Sequence, residues 1–317
     1  MTLDDIKEEI NKAQDILIVT HEFPDGDAIS SSLAMNLVLK KLGKNVDVVI
    51  PKCPKLYNFL PSSEDIKISG RENAPYDLAI AVDCSDLQRL NGYSKWFEDS
   101  KVRISIDHHQ SNKMFADYNF VDPVAPACTQ VLITIIKSLG VEIDKEIGTC
   151  IIAGIITDTG GFKYETVTSE TFEFAAKLLS IGVNISDTYK KLFQNKTISS
   201  FKLSKLVMDR MELLENGRIA FSYITLKDEE DVEAQSGDHE GLVDIGKGLE
   251  GVEVSIFLRE KENGFKASLR ANEYVNVSDV CMVFGGGGHT RVAGCTIQLP
   301  LEQAKERIIS YIKPKLK

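Results

Sequence analysis

In the first part of the chain, short apolar runs alternate with longer stretches in which apolar residues recur every three or four positions. The short runs are rich in Val and Ile, and this composition predicts buried strands. They cover residues 16–20, 46–50, 77–82 and 102–106. The stretches with helical spacing cover residues 3–14, 28–42, 126–139, 147–156, 169–179 and 187–193. Strands that alternate with helices predict a parallel, doubly wound sheet.

The pattern changes near Asn216 and Gly217. Helical spacing before this point predicts a connecting helix, and it is kept by Leu203, Leu206, Val207, Arg210 and Leu214. Short strands dominate afterwards, and they are predicted at residues 218–225, 252–259, 265–270 and 297–299, with a final helix from Leu301. We therefore expect an α/β protein made of a doubly wound domain over residues 1–193, a helical connector over 194–216, and a smaller α/β domain with a mixed sheet over 217–317.

Composition and charge narrow the class of protein. The chain has 317 residues, a formal net charge of −10 and a pI of about 5.2. Tight binding of long duplex nucleic acid needs a basic surface, so we expect no such partner. The six cysteines form no C-x-x-C pair, and no apolar run is long enough to span a bilayer. We expect a cytoplasmic protein with reduced thiols and no membrane partner.

Polar side chains follow three of the predicted strands at the point where each strand ends. They are His21, Asp25 and Asp27 after the first strand, Asp83 after the third, and Asp107, His108 and His109 after the fourth. Asp158 adds a carboxylate at the end of the apolar run 147–156. The carboxyl ends of parallel strands share one edge of a sheet, where ligands bind in open α/β folds. We expect these side chains to form one site.

Five carboxylates in one site create an electrostatic problem. They belong to Asp25, Asp27, Asp83, Asp107 and Asp158. Carboxylates at close range cannot all stay ionised without positive charge, which divalent cations supply. Oxygen ligands with a few imidazoles suit Mn²⁺ or Mg²⁺ better than a thiolate-type zinc site. The number of candidate ligands indicates two ions, an arrangement used in phosphoryl chemistry.

Each motif alone has a simpler explanation. Pro24-Asp25-Gly26-Asp27 is typical of a turn, and Asp83 after a strand is typical of a helix N-cap. Adjacent histidines are sometimes structural, and Thr157-Asp158-Thr159-Gly160 is compatible with the last turn of a helix. All four motifs lie at the ends of predicted elements in one domain, and this coincidence favours a metal site.

The four motifs resemble those of the DHH phosphoesterase superfamily. The matching segments are residues 21–28, 82–86, 107–109 and 154–162. Ser268-Leu269-Arg270 and the run Gly285-Gly286-Gly287-Gly288-His289 resemble the DHHA1 domain of its second subfamily. The resemblance covers nearly the whole chain. The compact two-domain layout is most similar to the bacterial nanoRNase/pAp phosphatase branch.

The resemblance implies two Mn²⁺ ions in the first domain, with Mg²⁺ or Co²⁺ as substitutes. One ion would be bound by His21, Asp25 and Asp83. The second would be bound by Asp27, Asp83, His108 and Asp158. The candidate catalytic residues are Asp83, Asp107, His108 and His109. Asp107 would orient the histidine pair and His109 would face the substrate phosphate, with Ser111 and Asn112 beside it.

The resemblance also implies that the second domain binds a phosphate or nucleobase, with the active site in the cleft between the domains. The candidate residues are Arg270, Gly286, Gly287, Gly288 and His289. Glycines allow close approach of the backbone to a ligand, and Arg can bind a phosphate with two hydrogen bonds. For Arg291, substrate contact and a solvated charge are both open. His239, in the loop 236–241, is expected to have no catalytic role, and its contact with substrate is open.

Together these features predict a Mn²⁺-dependent hydrolase that uses metal-activated water. It would cleave very short single-stranded RNA and dinucleotides to 5′-mononucleotides and convert 3′-phosphoadenosine 5′-phosphate (pAp) to AMP. A phosphodiesterase for cyclic di-AMP or pApA is an alternative, because it would need the same metal site. An inorganic pyrophosphatase, a nucleotide-binding regulator without catalysis and a single-stranded nucleic-acid binding module are weaker alternatives. The oligomeric state is open, with a homodimer as one option.

Overall fold

The computed structural model of the protein describes residues 2–72, 75–235 and 237–317. The chain forms two compact units that divide between Asn195 and Lys196. Ser236, in the loop that contains His239, lies outside the described residues. Across the described residues, every helix is too short or too polar to cross a bilayer.

The first unit is built on a parallel sheet of six strands. They are β1 (Asp15–Val19), β2 (Asn45–Val49), β3 (Ile66–Lys67), β4 (Leu78–Val82), β5 (Val102–Asp107) and β6 (Tyr118–Val121). Their order in the sheet is β3-β2-β1-β4-β5-β6, and all neighbours are parallel. The order reverses direction between β1 and β4, as in doubly wound folds. The predicted fold class is therefore confirmed.

Seven α-helices of the described residues accompany this sheet. They are α1 (Leu3–Lys12), α2 (Gly26–Lys41), α3 (Ser94–Glu98), α4 (Cys128–Ser138), α5 (Lys145–Asp158), α6 (Ser169–Ser180) and α7 (Ile185–Tyr189). Shorter helical turns cover Lys55–Tyr57, Ser63–Asp65, Leu87–Tyr93 and Lys190–Gln194. Alternate residues of β1 enter two cores on opposite faces of the sheet: Ile16 and Ile18 join the larger core, and Leu17 and Val19 join a smaller core with Phe97.

The second unit contains a mixed sheet and five α-helices among its described residues. The strands are β7 (Glu212–Leu214), β8 (Ile219–Ile224), β9 (Val254–Lys261), β10 (Gly264–Ala271), β11 (Gly287–His289) and β12 (Val292–Ile297), in the order β11-β12-β10-β9-β8-β7. Only the β8–β9 pair is parallel within this six-stranded sheet. The helices are α8 (Ile198–Asp209), α9 (Leu226–Asp231), α10 (Leu242–Lys247), α11 (Val277–Met282) and α12 (Leu301–Ile312).

The prediction of a connecting helix up to Leu214 was wrong beyond Asp209. Helix α8 ends there, and Leu214 lies in β7 opposite Ile219 of β8. The turn that follows, with positive φ at Glu215, Asn216 and Gly217, folds the chain back into this strand pair. Pairing with a distant strand therefore overrode the helical pattern.

Glu253 fixes the segment that leads from β10 to α11. Its side chain is buried, and its carboxylate accepts hydrogen bonds from the backbone N–H groups of Glu273 (3.1 Å), Tyr274 (2.8 Å) and Val275 (2.7 Å). Replacing Glu253 by Ala leaves these donors without their acceptor, so we expect a loss of about 3 kcal/mol in the free energy of unfolding. Urea denaturation measures this loss.

The exposed Glu306, on α12 of the same unit, provides the control. Its replacement by Ala should change the free energy of unfolding by less than about 0.5 kcal/mol. An equally small change for Glu253→Ala would show that the carboxylate does not hold this segment.

Candidate metal centre

Three neighbouring strands deliver the acidic and imidazole side chains of the first unit to one place. His21 follows β1, Asp83 follows β4, and the pair His108–His109 follows β5. Asp83 has φ +53°, in the left-handed region that most residues avoid, and its backbone N–H bonds to the carbonyl of Ile106. Such backbone strain costs about 1–3 kcal/mol and is concentrated at functional sites.

Two helices complete the group of side chains. Asp25 is the N-cap of α2, where its Oδ1 accepts a hydrogen bond from Ala28 N at 3.1 Å, and Asp27 lies in the first turn. Asp158 is the last residue of α5. These helices pack so closely that a Cβ atom on Gly154 would lie 2.4 Å from Asp27 Oδ1. The glycine in α5 therefore makes room for the carboxylate in α2.

Asp83 lies between two groups of potential ligands. Its Oδ2 is 3.9 Å from His21 Nε2, while its Oδ1 is 3.5 Å from His108 Nε2 and 3.7 Å from His109 Nδ1. His108 Nε2 is also 3.2 Å from Asp158 Oδ2. Three sets of residues each bring their donor atoms within 4.8 Å of one another. The sets are His21–Asp25–Asp83, Asp27–His108–Asp158 and Asp83–His108–His109. Both Asp83 and His108 occur in two sets.

Asp107 contacts both histidines through its carboxylate. Its Oδ1 accepts a hydrogen bond from the backbone N–H of His108 at 2.8 Å and lies 2.6 Å from His109 Nδ1. Its Oδ2 accepts one from Asn112 Nδ2 at 2.7 Å. Asp107 belongs to none of the three donor sets found in the described residues. Ser111 is exposed.

Asp27 is fully buried and is held by the N-terminus of α4. Its carboxylate accepts hydrogen bonds from the backbone N–H groups of Cys128 and Thr129 and from Thr129 Oγ1, the last at 2.8 Å. The partial positive charge of a helix N-terminus favours such an anion. Sequence reasoning missed Thr129, since no pattern links it to a residue about a hundred positions away.

The pKa shifts show how strongly the carboxylates interact. Burial raises the pKa of Asp27 well above its usual range, and the charges of Asp83 and Asp158 raise it further. Burial also raises the pKa of Asp158 to about 6, although His108 opposes the shift. Burial disfavours ionisation of Asp83 as well, but contact with His108 and the positive charge of His109 outweigh it and lower its pKa. The acidic site therefore needs positive charge.

The donor chemistry fits divalent cations. Asp83 Oδ1 is buried and accepts no hydrogen bond within the described part of the chain. Carboxylates with imidazoles match the preferences of Mn²⁺ and Mg²⁺. Two nearby thiols are unsuited as ligands, because burial raises the pKa of Cys84 to about 12 and that of Cys128 well above its usual value.

Arg89 is a cation beside the site that sequence reasoning also missed. It lies in the helical turn Leu87–Tyr93 after β4, is exposed, and places Nη1 3.3 Å from Ser85 Oγ. Burial lowers the pKa of His21, and the charge of Arg89 contributes to this shift. In the sequence, only its position six residues after Asp83 connects Arg89 with the predicted site.

The candidate residues of the second unit lie on β10, on β11 and at Gly286, just before β11. Arg270 is half-buried, and its Nε is 3.4 Å from Asp244 Oδ1. A Cβ atom on Gly286 would lie 2.2 Å from the carbonyl oxygen of Gly294, and one on Gly288 would lie 2.4 Å from that of Val292. Gly286 and Gly288 are therefore required for packing against β12.

Two other residues of this run behave differently. Gly287 is exposed, and a Cβ atom on it would meet no neighbour within 4 Å. His289 ends β11 and is exposed. The guanidinium of Arg291 donates hydrogen bonds to the backbone carbonyls of Glu273 and Val275. Arg291 therefore has a structural role and is not simply a solvated surface charge.

Comparisons with known proteins agree with this architecture. The DHH family, N-terminal domain, matches residues 15–155, and the DHHA1 domain matches residues 216–317. The bifunctional oligoribonuclease and PAP phosphatase NrnA of Thermus thermophilus is 35% identical over 302 residues, which cover 95% of this chain and 90% of the relative. The protein of the same name from Bacillus subtilis is 24% identical and covers 89% of each chain.

A solved structure has the same fold over its whole length. The crystal structure of an exopolyphosphatase-related protein from Bacteroides fragilis superposes with a TM-score of 0.92 at 28% identity, covering 98% of this chain and 96% of that one. Fold, site and relatives define a hydrolase that acts on phosphoester bonds. The chain belongs to the DHH family and carries a DHHA1 domain, as its motifs predicted.

Proposed function

We propose that the protein is a Mn²⁺-dependent phosphoesterase that cleaves very short oligoribonucleotides to 5′-mononucleotides and dephosphorylates pAp to AMP. The observation that carries this proposal is the position of Asp83, whose two oxygens face different donor sets. A shared carboxylate is the feature expected of a two-ion site. The relatives named as bifunctional oligoribonucleases and PAP phosphatases support the substrates.

We propose two groups of ligands around the shared Asp83. The first group is His21, Asp25 and Asp83. The second is Asp27, Asp83, His108 and Asp158. Three donors of each group meet within 4.8 Å, which supports this division. Bound divalent ions would lower the pKa of a water nucleophile and neutralise charge on the phosphate, and Mg²⁺ or Co²⁺ would substitute for Mn²⁺.

His109 is proposed to contact the substrate phosphate. Its Nδ1 donates a hydrogen bond to Asp107 Oδ1 at 2.6 Å, so Nε2 would donate to a phosphate oxygen in the protonated imidazolium form. Asn112 Nδ2, at 2.7 Å, fixes the other oxygen of Asp107. The carboxylate thus sets the orientation and tautomer of the imidazole, a role that outer residues commonly play in metal sites.

The second domain, residues 217–317, is proposed to bind the substrate through Arg270, His289 and the exposed Gly287. An arginine can bind a phosphate with two parallel hydrogen bonds, and exposed glycine N–H groups can donate hydrogen bonds to further phosphate oxygens. Gly286 and Gly288 would shape this backbone rather than contact the substrate. Ser111 is kept as a weaker candidate because it is exposed beside Asn112.

A product assay tests the proposal. The protein is incubated with Mn²⁺ and with pAp, pApA, a long single-stranded RNA or cyclic di-AMP in parallel. We expect AMP from pAp, rapid cleavage of the dinucleotide, and little hydrolysis of the long RNA. Consumption of cyclic di-AMP without turnover of pAp would favour second-messenger degradation instead, and inactivity on all four would favour a nucleotide-binding regulator.

A further inference from the structure

Arg89 is held against the loop that carries the first proposed metal ligand. It lies in the helical turn Leu87–Tyr93, and its carbonyl accepts a hydrogen bond at 2.9 Å from the N–H of Glu22, the residue after His21. The residue that follows Arg89, Leu90, is fully buried in the smaller core of the first unit. These two contacts fix the backbone of Arg89 beside the metal centre.

The guanidinium of Arg89 is close to the centre but is not paired with its carboxylates. Nη1 donates a hydrogen bond to Ser85 Oγ at 3.3 Å, and Ser85 is the second residue after Asp83. Among the described residues this is the one hydrogen bond of the guanidinium, and it forms no ion pair. Because a guanidinium carries N–H donors on all three nitrogens, Nε and Nη2 remain able to bind a ligand.

The positive charge of Arg89 acts on the donor set His21–Asp25–Asp83 from its exposed side. Arg89 is exposed, whereas His21 and Asp83 are almost fully buried. Burial lowers the pKa of His21; the charges of Asp25 and Asp83 oppose this shift, and the charge of Arg89 adds to it. The guanidinium therefore lies within electrostatic range of this donor set and on its solvent-facing side.

A phosphate that reacts at this donor set needs hydrogen-bond donors on its outer side. The negative charge of the reacting group is spread over its non-bridging oxygens, and donors that are already in place stabilise this charge most effectively. Arginine suits this task because its planar guanidinium matches the geometry of phosphate. Arg89 has no ion pair to break before it contacts a phosphate, so its donors are available when the substrate binds.

We infer that Arg89 contacts the phosphate group that is hydrolysed and donates hydrogen bonds to its non-bridging oxygens at the donor set His21–Asp25–Asp83. This role differs from that of Arg270, which is proposed to bind the substrate from the second domain. Because the contact is with the reacting phosphate, it serves pAp and dinucleotides alike. The inference rests on the proposed function, since it assigns a contact in that reaction.

The variant Arg89→Gln tests the contact by kinetics. We expect kcat/KM to fall about a hundredfold both for pAp and for ApA, a dinucleotide without a terminal phosphate, as for the loss of one charge-stabilising donor. Arg89→Lys should recover only part of the rate, because lysine lacks the planar fork. Lys95→Gln, at an exposed lysine of α3, is the control for the loss of one positive charge and should keep the parent value.

Two kinetic outcomes would overturn the inference. A change of less than about twofold for both substrates would show that Arg89 does not contact the reacting phosphate. A loss confined to pAp would place Arg89 at the phosphate that is not hydrolysed. In Arg89→Ala, added guanidinium ion, far below denaturing concentrations, should restore part of the rate for both substrates. Asp83→Asn should show no such rescue.

Calorimetric titration with Mn²⁺ separates contact with the substrate from support of the metal ligands. Arg89→Gln should bind Mn²⁺ with the stoichiometry of the parent and at least its affinity, because removal of a nearby positive charge does not weaken the binding of a cation. A lower Mn²⁺ affinity would show that Arg89 supports the ligands instead, and it would overturn the substrate contact.

A binding measurement distinguishes failure of this inference from failure of the proposed function. AMP, the product that keeps the reacting phosphate of ApA, is titrated into the parent and into Arg89→Gln in the presence of Mn²⁺. We expect the variant to bind AMP about tenfold more weakly, as for the loss of one charged phosphate contact. Equal affinities would overturn the inference. If the parent hydrolysed neither pAp nor ApA but lost AMP affinity in the variant, the proposed function would fail while the phosphate contact remained.

Discussion

Replacing Asp83 by Asn should reduce phosphoester hydrolysis by about a thousandfold or more, because several kcal/mol of transition-state stabilisation depend on bound ions. The substitution preserves the shape of the side chain but removes its charge. It therefore weakens the donor set with His21 and the set with His108 at once, since the two carboxylate oxygens face these histidines at 3.9 Å and 3.5 Å. We expect the parent to bind two equivalents of Mn²⁺ and the variant to bind fewer.

Steady-state kinetics and calorimetric titration with Mn²⁺ measure the two effects separately. Asp99→Asn, at an exposed carboxylate of the same unit, is the control for a change of one charge. It should leave both the rate and the Mn²⁺ stoichiometry at the values of the parent. Parent-like hydrolysis and metal binding by Asp83→Asn would rule out a shared ligand.

The sequence was most informative where the structure is most regular. Strands β1 and β4 are central in a parallel sheet and buried on both faces, so each reads as a nearly continuous apolar run, whereas β5 alternates apolar residues with Arg103 and Ser105. The polar residue that follows such a run lies at the carboxyl-terminal end of its strand, on the same side of the sheet as those of the neighbouring strands. This geometry allowed His21, Asp83 and His108 to be grouped before any distance was known.

Short edge strands, and hydrogen bonds between residues far apart in the chain, could not be predicted from the local sequence pattern. Strand β3 has two residues, and β6 is mostly half-exposed, so neither carries a pattern of its own. The support of Asp27 by Thr129, and that of the Glu273–Val275 segment by Glu253, joins residues far apart in the chain. Such contacts arise from packing, which a local pattern does not encode.

The glycine run illustrates a further limit. In the sequence, Gly286, Gly287 and Gly288 are equivalent candidates for a phosphate-binding backbone. In the structure, two of them are needed because a side chain would collide with β12, and only Gly287 has open space. Gly286 therefore has a packing role that its residue type could not distinguish from ligand binding.

Gly154→Ala should uncouple the two helices that hold the second group of proposed ligands. Alanine in a helix is normally more stabilising than glycine by about 1 kcal/mol. Here the new Cβ would lie 2.4 Å from Asp27 Oδ1 and 2.4 Å from Thr129 Cγ2, so the sign should reverse. We expect a loss of about 1–3 kcal/mol in the free energy of unfolding. Displacement of Asp27 should also weaken Mn²⁺ binding about 10–100-fold.

Gly148→Ala is the matched control in the same helix, α5. Its Cβ would also be crowded, at 2.8 Å from Val183 Cγ2 and 3.0 Å from Leu178 Cδ2, but these are apolar side chains outside the metal-ligand sets. We therefore expect a loss of stability with Mn²⁺ affinity retained. Thermal unfolding with and without Mn²⁺ distinguishes the variants, because a bound ion raises the stability of the folded state by an amount that grows with the logarithm of its affinity. Parent-like stabilisation of Gly154→Ala by Mn²⁺ would show that Asp27 is not positioned for metal by this helix contact.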